Sequence, residues 1–155
     1  MVKEKAKIAI IILNWNQTDL TLACLKSVFQ SRTDGKIEIE AIVIDNASTD
    51  DSKKRLKEIQ EKRNLSHQGR DEIKISRSKF PNFKVIFNKE NLGFAGGNNV
   101  GIRYALKNKA DFIFILNNDT EIKNDCILNL WQTFLEEEKI ARQKGQHSQT
   151  PLFWP

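Results

Sequence analysis

Four apolar, strand-like segments alternating with four helix-like ones predict an α/β protein, a three-layer structure whose open, mostly parallel sheet carries helices on both faces. Two further observations support that class. The first and fourth strand-like segments are continuous apolar runs rather than alternating ones, as strands buried on both faces are. Most of these runs also end in short polar residues, the chemistry of turns and helix starts.

The first run, Ile8-Ala9-Ile10-Ile11-Ile12-Leu13, is rich in Ile and reads as a strand covered on both sides. Thr18 or Asp19 is placed to cap a helix whose Leu20, Cys24, Leu25, Val28 and Phe29 share one stripe. A second strand, about 38–44, stops at Asp45-Asn46-Ala47-Ser48-Thr49-Asp50, which is N-cap chemistry for a basic helix over about 51–63. The polar stretch 64–82 is longer than the usual helix-to-strand loop and reads as a surface insertion. Phe83-Lys84-Val85-Ile86-Phe87 forms a short third strand, and Gly93, Gly96, Gly97 and Gly101 fill the turn and first part of a helix reaching Leu106. Phe112-Ile113-Phe114-Ile115-Leu116 is the fourth strand. A last helix from about Asn124 puts Ile127, Leu130, Trp131, Phe134 and Leu135 on one stripe, which assigns its aromatics to the core.

Parallel strands joined this way need right-handed crossovers. The first and fourth strands, the most continuously apolar, are expected as central neighbours, which gives the order 3-2-1-4. The chain then reverses direction between strands one and four, and open α/β sheets bind ligands at such a switch point.

At 155 residues with 39% apolar and 29% charged content, the chain suits one globular domain. The net charge of +5 is concentrated at 53–79, where ten Lys and Arg face four acids. Such a stretch offers contacts to phosphates or an anionic membrane surface, and peripheral membrane association is one expectation; a solvated helix face is the plainer one. It lacks the interleaved aromatics of nucleic-acid surfaces, so no nucleic-acid partner is expected. Cys24 and Cys126 are widely separated and read as small buried hydrophobes in a reducing compartment. His67 and His147 have no second ligand at zinc spacing. The apolar run behind the basic N-terminus is six residues long, short of a signal peptide's roughly 7–15. No segment approaches the roughly 20 apolar residues that span a bilayer, and a cytoplasmic address is expected, at most against the inner face of a membrane.

The predicted order brings Asn14, Trp15 and Asn16, then Asp45 and Asn46, then Asn117, Asn118 and Asp119 to one rim. Each cluster alone would serve as a turn, but their coincidence at one crevice points to a ligand site. Asp119 follows a wholly apolar strand and two short oxygen-bearing side chains. A hard cation such as Mn²⁺ or Mg²⁺ takes oxygen ligands, commonly one or two carboxylates completed by substrate phosphates, and Asp119 fits that part. The same residues would also suffice to turn the chain and cap the last helix. Gly93-Phe94-Ala95-Gly96-Gly97 has neither the G-x-G-x-x-G spacing of a dinucleotide site nor the Lys and Ser or Thr of a P-loop.

Taken together, Ile10 to Asn16, Val43 to Asp50, Asn91-Leu92-Gly93-Phe94-Ala95-Gly96-Gly97-Asn98 and Leu116-Asn117-Asn118-Asp119-Thr120 resemble glycosyltransferase family 2, and within it the rhamnosyltransferase-type members. The resemblance covers about residues 7–135. It implies the Rossmann-like GT-A fold, a nucleoside-diphosphate sugar donor such as dTDP-rhamnose, and inverting transfer to a glycan or lipid-linked acceptor in cell-surface polysaccharide synthesis. By position it sets Asn14, Trp15 and Asn16 beside the nucleoside and makes Asp45 an acceptor for the base. Asn46, Asn91, Gly93, Gly97, Asn98, Asn117 and Asn118 would line the nucleotide-sugar site, and Asp119 would be the metal-binding carboxylate of an Asp-x-Asp motif. Asn117 stands at the motif's first position, which removes one charge and makes metal binding more dependent on the diphosphate.

Family members continue for roughly another hundred residues that build the acceptor site, so the catalytic base is expected beyond Pro155. On this reading residues 1–135 form the donor-binding domain, while 136–155 form a polar tail that departs from the resemblance as a truncated or frameshifted reading frame would. Two other readings stand beside it. A sugar-phosphate nucleotidylyltransferase would carry a Gly-rich, Arg-containing loop where Asn14-Trp15-Asn16-Gln17 stands. A non-catalytic nucleotide-sugar-binding module, or an inactive remnant, would need no acceptor half.

Overall fold

The computed structural model of the protein describes residues 5–66 and 82–144. The elements are β1 (Ala6–Asn14), α1 (Thr18–Phe29), β2 (Ile37–Asp45), α2 (Ser52–Ser66), β3 (Phe83–Phe87), α3 (Gly93–Lys107), β4 (Phe112–Asn117) and α4 (Cys126–Gln143). The four strands are all parallel, in the order β3-β2-β1-β4 that the apolar runs predict. Most of the expected insertion, 67–81, and the tail from 145 lie outside the described residues. Of the rest, 64–66 close α2, and α4 runs without a break to Gln143.

Strand residues alternate between two apolar layers because successive side chains point to opposite faces. Ile8, Ile10 and Ile12 of β1 join Ala41 and Val43 of β2 against Cys24, Leu25 and Val28 of α1, Leu56 of α2, and Ile127, Leu128 and Trp131 of α4. Ala9, Ile11, Ile42 and Ile44 form the other layer against Ala105, Val100, Ile102 and Tyr104 of α3. Among the described residues, three helices therefore cover one face and one covers the other.

α3 lies mainly over β1 and β2, and it comes close through small residues. A Cβ placed on Gly101 would stand 2.7 Å from Ile11 Cγ2, so glycine is needed there despite its poor helix propensity. The turn into α3 likewise depends on Gly93, whose φ of 69° is a conformation that side chains resist.

Several expectations are corrected. β1 and β4 are neighbours, but β1 and β2 are the central pair, and β4, like β3, is an outer strand among the described residues. Its residues are mostly half-buried and Ile115 is 42% exposed, because β4 has one strand beside it and only the margin of α3 above it. Leu20 and Leu130 are exposed rather than buried. Thr21 takes the inward position on α1, and Leu128 takes it on α4. Neither Thr18 nor Asp19 caps α1: Gln17 is the N-cap residue without a side-chain bond, Thr18 is buried, and Asp19 pairs with Arg55 of α2. That pair holds the Asp19 carboxyl below its ordinary range through the Arg55 hydrogen bond. Cys126 is only half-buried. In the turn that leads into α2, Asp50 Oδ1 accepts from the Ser52 N–H at 2.9 Å.

Gly101→Val should destabilise the fold by about 1–3 kcal/mol, the usual cost of forcing extra methyl groups into a packed layer. Urea unfolding measures it, and an unchanged midpoint would show that α3 can lift off Ile11 freely.

Candidate functional site

Parallel register sets Asn14 opposite Asp45 and Leu13 opposite Asn117, so the polar residues that follow β1, β2 and β4 emerge level with one another. The rim they form holds a cleft of about 320 Å³ walled by Leu13, Trp15, Gln17, Phe94, Asn117, Asn118 and Asp119. Trp15, Asn117, Asn118 and Asp119 are residues expected there from the sequence. Leu13, Gln17 and Phe94 are additions. Trp15 and Phe94 are 52% and 63% exposed, two aromatic surfaces left in water at a cleft mouth and suited to stacking on a flat ring. Phe94 was legible in principle, as the one large side chain in a segment of glycine and alanine.

The other expected site residues support the cleft from below. Asn14 and Asp45 are fully buried, not open to solvent. Asp45 Oδ1 accepts from Asn14 Nδ2 at 3.0 Å and from Ser48 Oγ at 2.6 Å, while its Oδ2 accepts from the Ser48 N–H at 3.3 Å. At 1% exposure, Asp45 is the post that holds the loop after β2. Asn16, with φ at 56°, clamps the same loop through Thr49, accepting from its N–H at 2.8 Å and donating to its Oγ1 at 3.1 Å.

Asn46 is 2% exposed and staples the turn between β3 and α3. Its Nδ2 donates to Asn91 Oδ1 at 2.7 Å and to the Gly93 carbonyl at 3.2 Å, and its Oδ1 accepts from Asn88 Nδ2 and from the Leu92 N–H. Asn91 is thereby committed to bracing the turn. Gly97 packs against Leu13 and Asn46, and Asn98 is buried with its Nδ2 on the Phe94 carbonyl. The common reason is that backbone groups in strand-end loops must find partners, and nearby short polar side chains supply them first.

One face of α1 holds the segment after β4. The Cys24 thiol donates to the Asn117 carbonyl at 3.7 Å, and Ser27 Oγ accepts from the Ile122 N–H at 3.1 Å. Asn118 Nδ2 reaches Gln17 Oε1 at 3.1 Å and Thr21 Oγ1 at 3.4 Å. Burial pushes the Cys24 thiol up to about 12, with the Asp119 and Glu121 carboxylates adding to the shift. Asp119 itself is exposed at the cleft edge. Among the described residues no three His, Cys, Asp or Glu side chains gather as a metal cluster. The donor set is thus one carboxylate beside amide oxygens, which fits a hard cation completed by phosphate and water but not a site built of protein ligands alone.

Asp45→Ala should lower stability by about 1–3 kcal/mol by orphaning buried donors of Asn14 and Ser48. Urea denaturation checks it, and a wild-type midpoint would return Asp45 to a ligand-facing role. A thiol reagent at neutral pH should label Cys126 and spare Cys24 in the folded protein, as mass spectrometry of the digested product would show; rapid labelling of Cys24 would contradict its burial.

The fold has known counterparts. TarS from S. aureus, solved in complex with UDP-GlcNAc, superposes with a TM-score of 0.60 at 21% identity, over 86% of this chain and 32% of that one. The mannosyltransferase PcManGT from Pyrobaculum calidifontis, solved with GDP-Man and Mn²⁺, gives a TM-score of 0.61 at 17% identity, over 84% of this chain and 32% of that one. The chain thus spans about a third of the length of these structures, and 20% of another TarS structure. No curated protein matches the chain in sequence. The profile described as Glycosyl transferase family 2 matches residues 9–151, past the end of the expected resemblance at 135 and through the whole of α4. With so much of its length matched, the chain belongs to glycosyl transferase family 2.

Proposed function

We propose that this chain binds the donor of an inverting glycosyl transfer, a nucleoside-diphosphate sugar held with Mn²⁺ or Mg²⁺, for delivery to a glycan or lipid-linked acceptor. The observation that carries the reading is the cleft at the ends of β1 and β4, where two exposed aromatics face a turn bearing one open carboxylate. The nucleotide sugars in the TarS and PcManGT structures support the donor class, and the Mn²⁺ in the latter supports the cation. A rhamnosyltransferase-like member using dTDP-rhamnose is the finer reading. It rests on the Asn117-Asn118-Asp119 motif and on the apolar walls Leu13, Trp15 and Phe94, which suit the methyl groups of thymine and of a 6-deoxy sugar.

In this reading Trp15 and Phe94 hold the flat base, Asn117 and Asn118 orient the donor through their amides, and Asp119 holds the cation. The bound cation would neutralise charge on the departing diphosphate. Inverting transfer also needs a base to take the acceptor proton. Asp119 is the single carboxylate of the described cleft and is committed to the cation, so none of the lining residues is assigned as that base. The basic face of α2, with Lys53, Lys54 and Lys57 exposed, supports peripheral attachment to an anionic membrane surface. No helix among the described residues is long and apolar enough to cross a membrane.

Nucleoside diphosphates with Mn²⁺ should raise the melting temperature, since a ligand at 100 times its Kd stabilises the folded state by about 2.7 kcal/mol. Asp119→Ala should remove the metal-dependent part of the shift and leave the unliganded melting temperature unchanged, because the residue is exposed. Incubation with labelled nucleotide sugars and acceptor glycans should show binding without transfer by these 155 residues. Glycoside formation would instead place a base within them, and absence of any nucleotide shift would overturn the donor site.

A further inference from the structure

We infer that the Thr21 hydroxyl is a positioning group that ties the loop after β2 to the Asn118–Asp119 turn, so that the metal end of the cleft is set by the buried bonds beneath it. The inference rests on the donor-binding reading above. Its basis is a run of hydrogen bonds whose direction is fixed throughout. Asp45 takes three donors, so the Asn14 amide must present Nδ2 to it, at 3.0 Å. Asn14 Oδ1 is then turned toward α1, where only a donor satisfies it, and the Thr21 hydroxyl donates to it at 2.7 Å. With its single proton spent, Thr21 Oγ1 can only accept, and Asn118 Nδ2 approaches it at 3.4 Å while also reaching Gln17 Oε1.

Thr21 and Asn14 are 0% exposed, so this run is shielded from competing water. It ends one residue short of Asp119. Gln17 lies on the exposed side of the same amide, and of its two anchors Thr21 is the rigid one, a short β-branched side chain inside a helix. Without it Asn118 would pivot on a flexible exposed glutamine, and the adjoining carboxylate would lose its aim at the cleft. Thr21 touches neither donor nor cation, and its effect passes through Asn118.

The test is Thr21→Val, measured by calorimetric titration of a nucleoside diphosphate with and without Mn²⁺, beside Thr21→Ser and wild type. The gain in affinity that Mn²⁺ confers should fall by up to about tenfold in Thr21→Val, the equivalent of one neutral hydrogen bond. Metal-free affinity should stay within about twofold of wild type, a difference small on the tenfold-per-1.4 kcal/mol scale. Thr21→Ser should restore the gain, because it restores the hydroxyl. Thr21→Ala serves as the variant should Thr21→Val fail to fold. An undiminished Mn²⁺ gain, or equal losses with and without Mn²⁺, would overturn the inference and leave the donor site standing. A wild-type chain that binds no nucleotide at all would overturn the donor reading and the inference with it.

Discussion

Asp45 sits at the end of a central strand with 1% of its surface exposed, and a carboxylate in that position has to be surrounded by donors. Asn14, from the neighbouring strand in register, supplies one; Ser48, from the loop that follows, supplies two. Ser48 Oγ then accepts from the Asn16 N–H at 2.9 Å, which fixes where β1 hands over to its own loop. Two strand ends are thus joined by polar bonds at the level where the apolar sheet stops. The cleft borders that assembly, and its shape depends on the loops being held there.

The architecture was legible because the interiors of β1 and β4 are uninterrupted apolar runs and α1 and α4 carry apolar stripes. Register then followed from parallel pairing, and the same rim of Asn14, Asp45 and Asn117 emerged. What the sequence could not separate is a strand-end polar residue that faces ligand from one that holds a loop, since both need short oxygen-bearing side chains. Asp119 and Trp15 proved open, whereas Asn14, Asp45, Asn46 and Asn98 proved buried. Thr21 escaped notice for the opposite reason, being a hydroxyl on what periodicity marks as a core stripe. Leu20 and Leu130 misled because a helical stripe is wide enough for a leucine at its margin to remain in water.

The glycine-rich segment also reads differently once its neighbours are visible. A cluster of glycines before a helix suggests backbone laid against a phosphate. Here Gly97 and Gly101 face Leu13 and Ile11 instead, so that α3 can settle on the central strands. The side chain carried to the cleft by that close packing is Phe94, and the aromatic wall of the site is positioned by glycines packed on the sheet.

Among the described residues β4 is paired on one side only, and its interior, Phe-Ile-Phe-Ile-Leu, contains no charge. An open edge with high β-propensity is a template for intermolecular pairing, and proteins commonly guard such segments with flanking charges. The guards here are Asp111 before the strand and the Asn117 to Asp119 turn after it. Asp119 therefore stands exposed at the edge of the cleft and also limits how far a strand from another molecule could align along β4. A cation held there, as the proposed function has it, would withdraw negative charge from the end of the strand and so couple cation concentration to the colloidal behaviour of the protein.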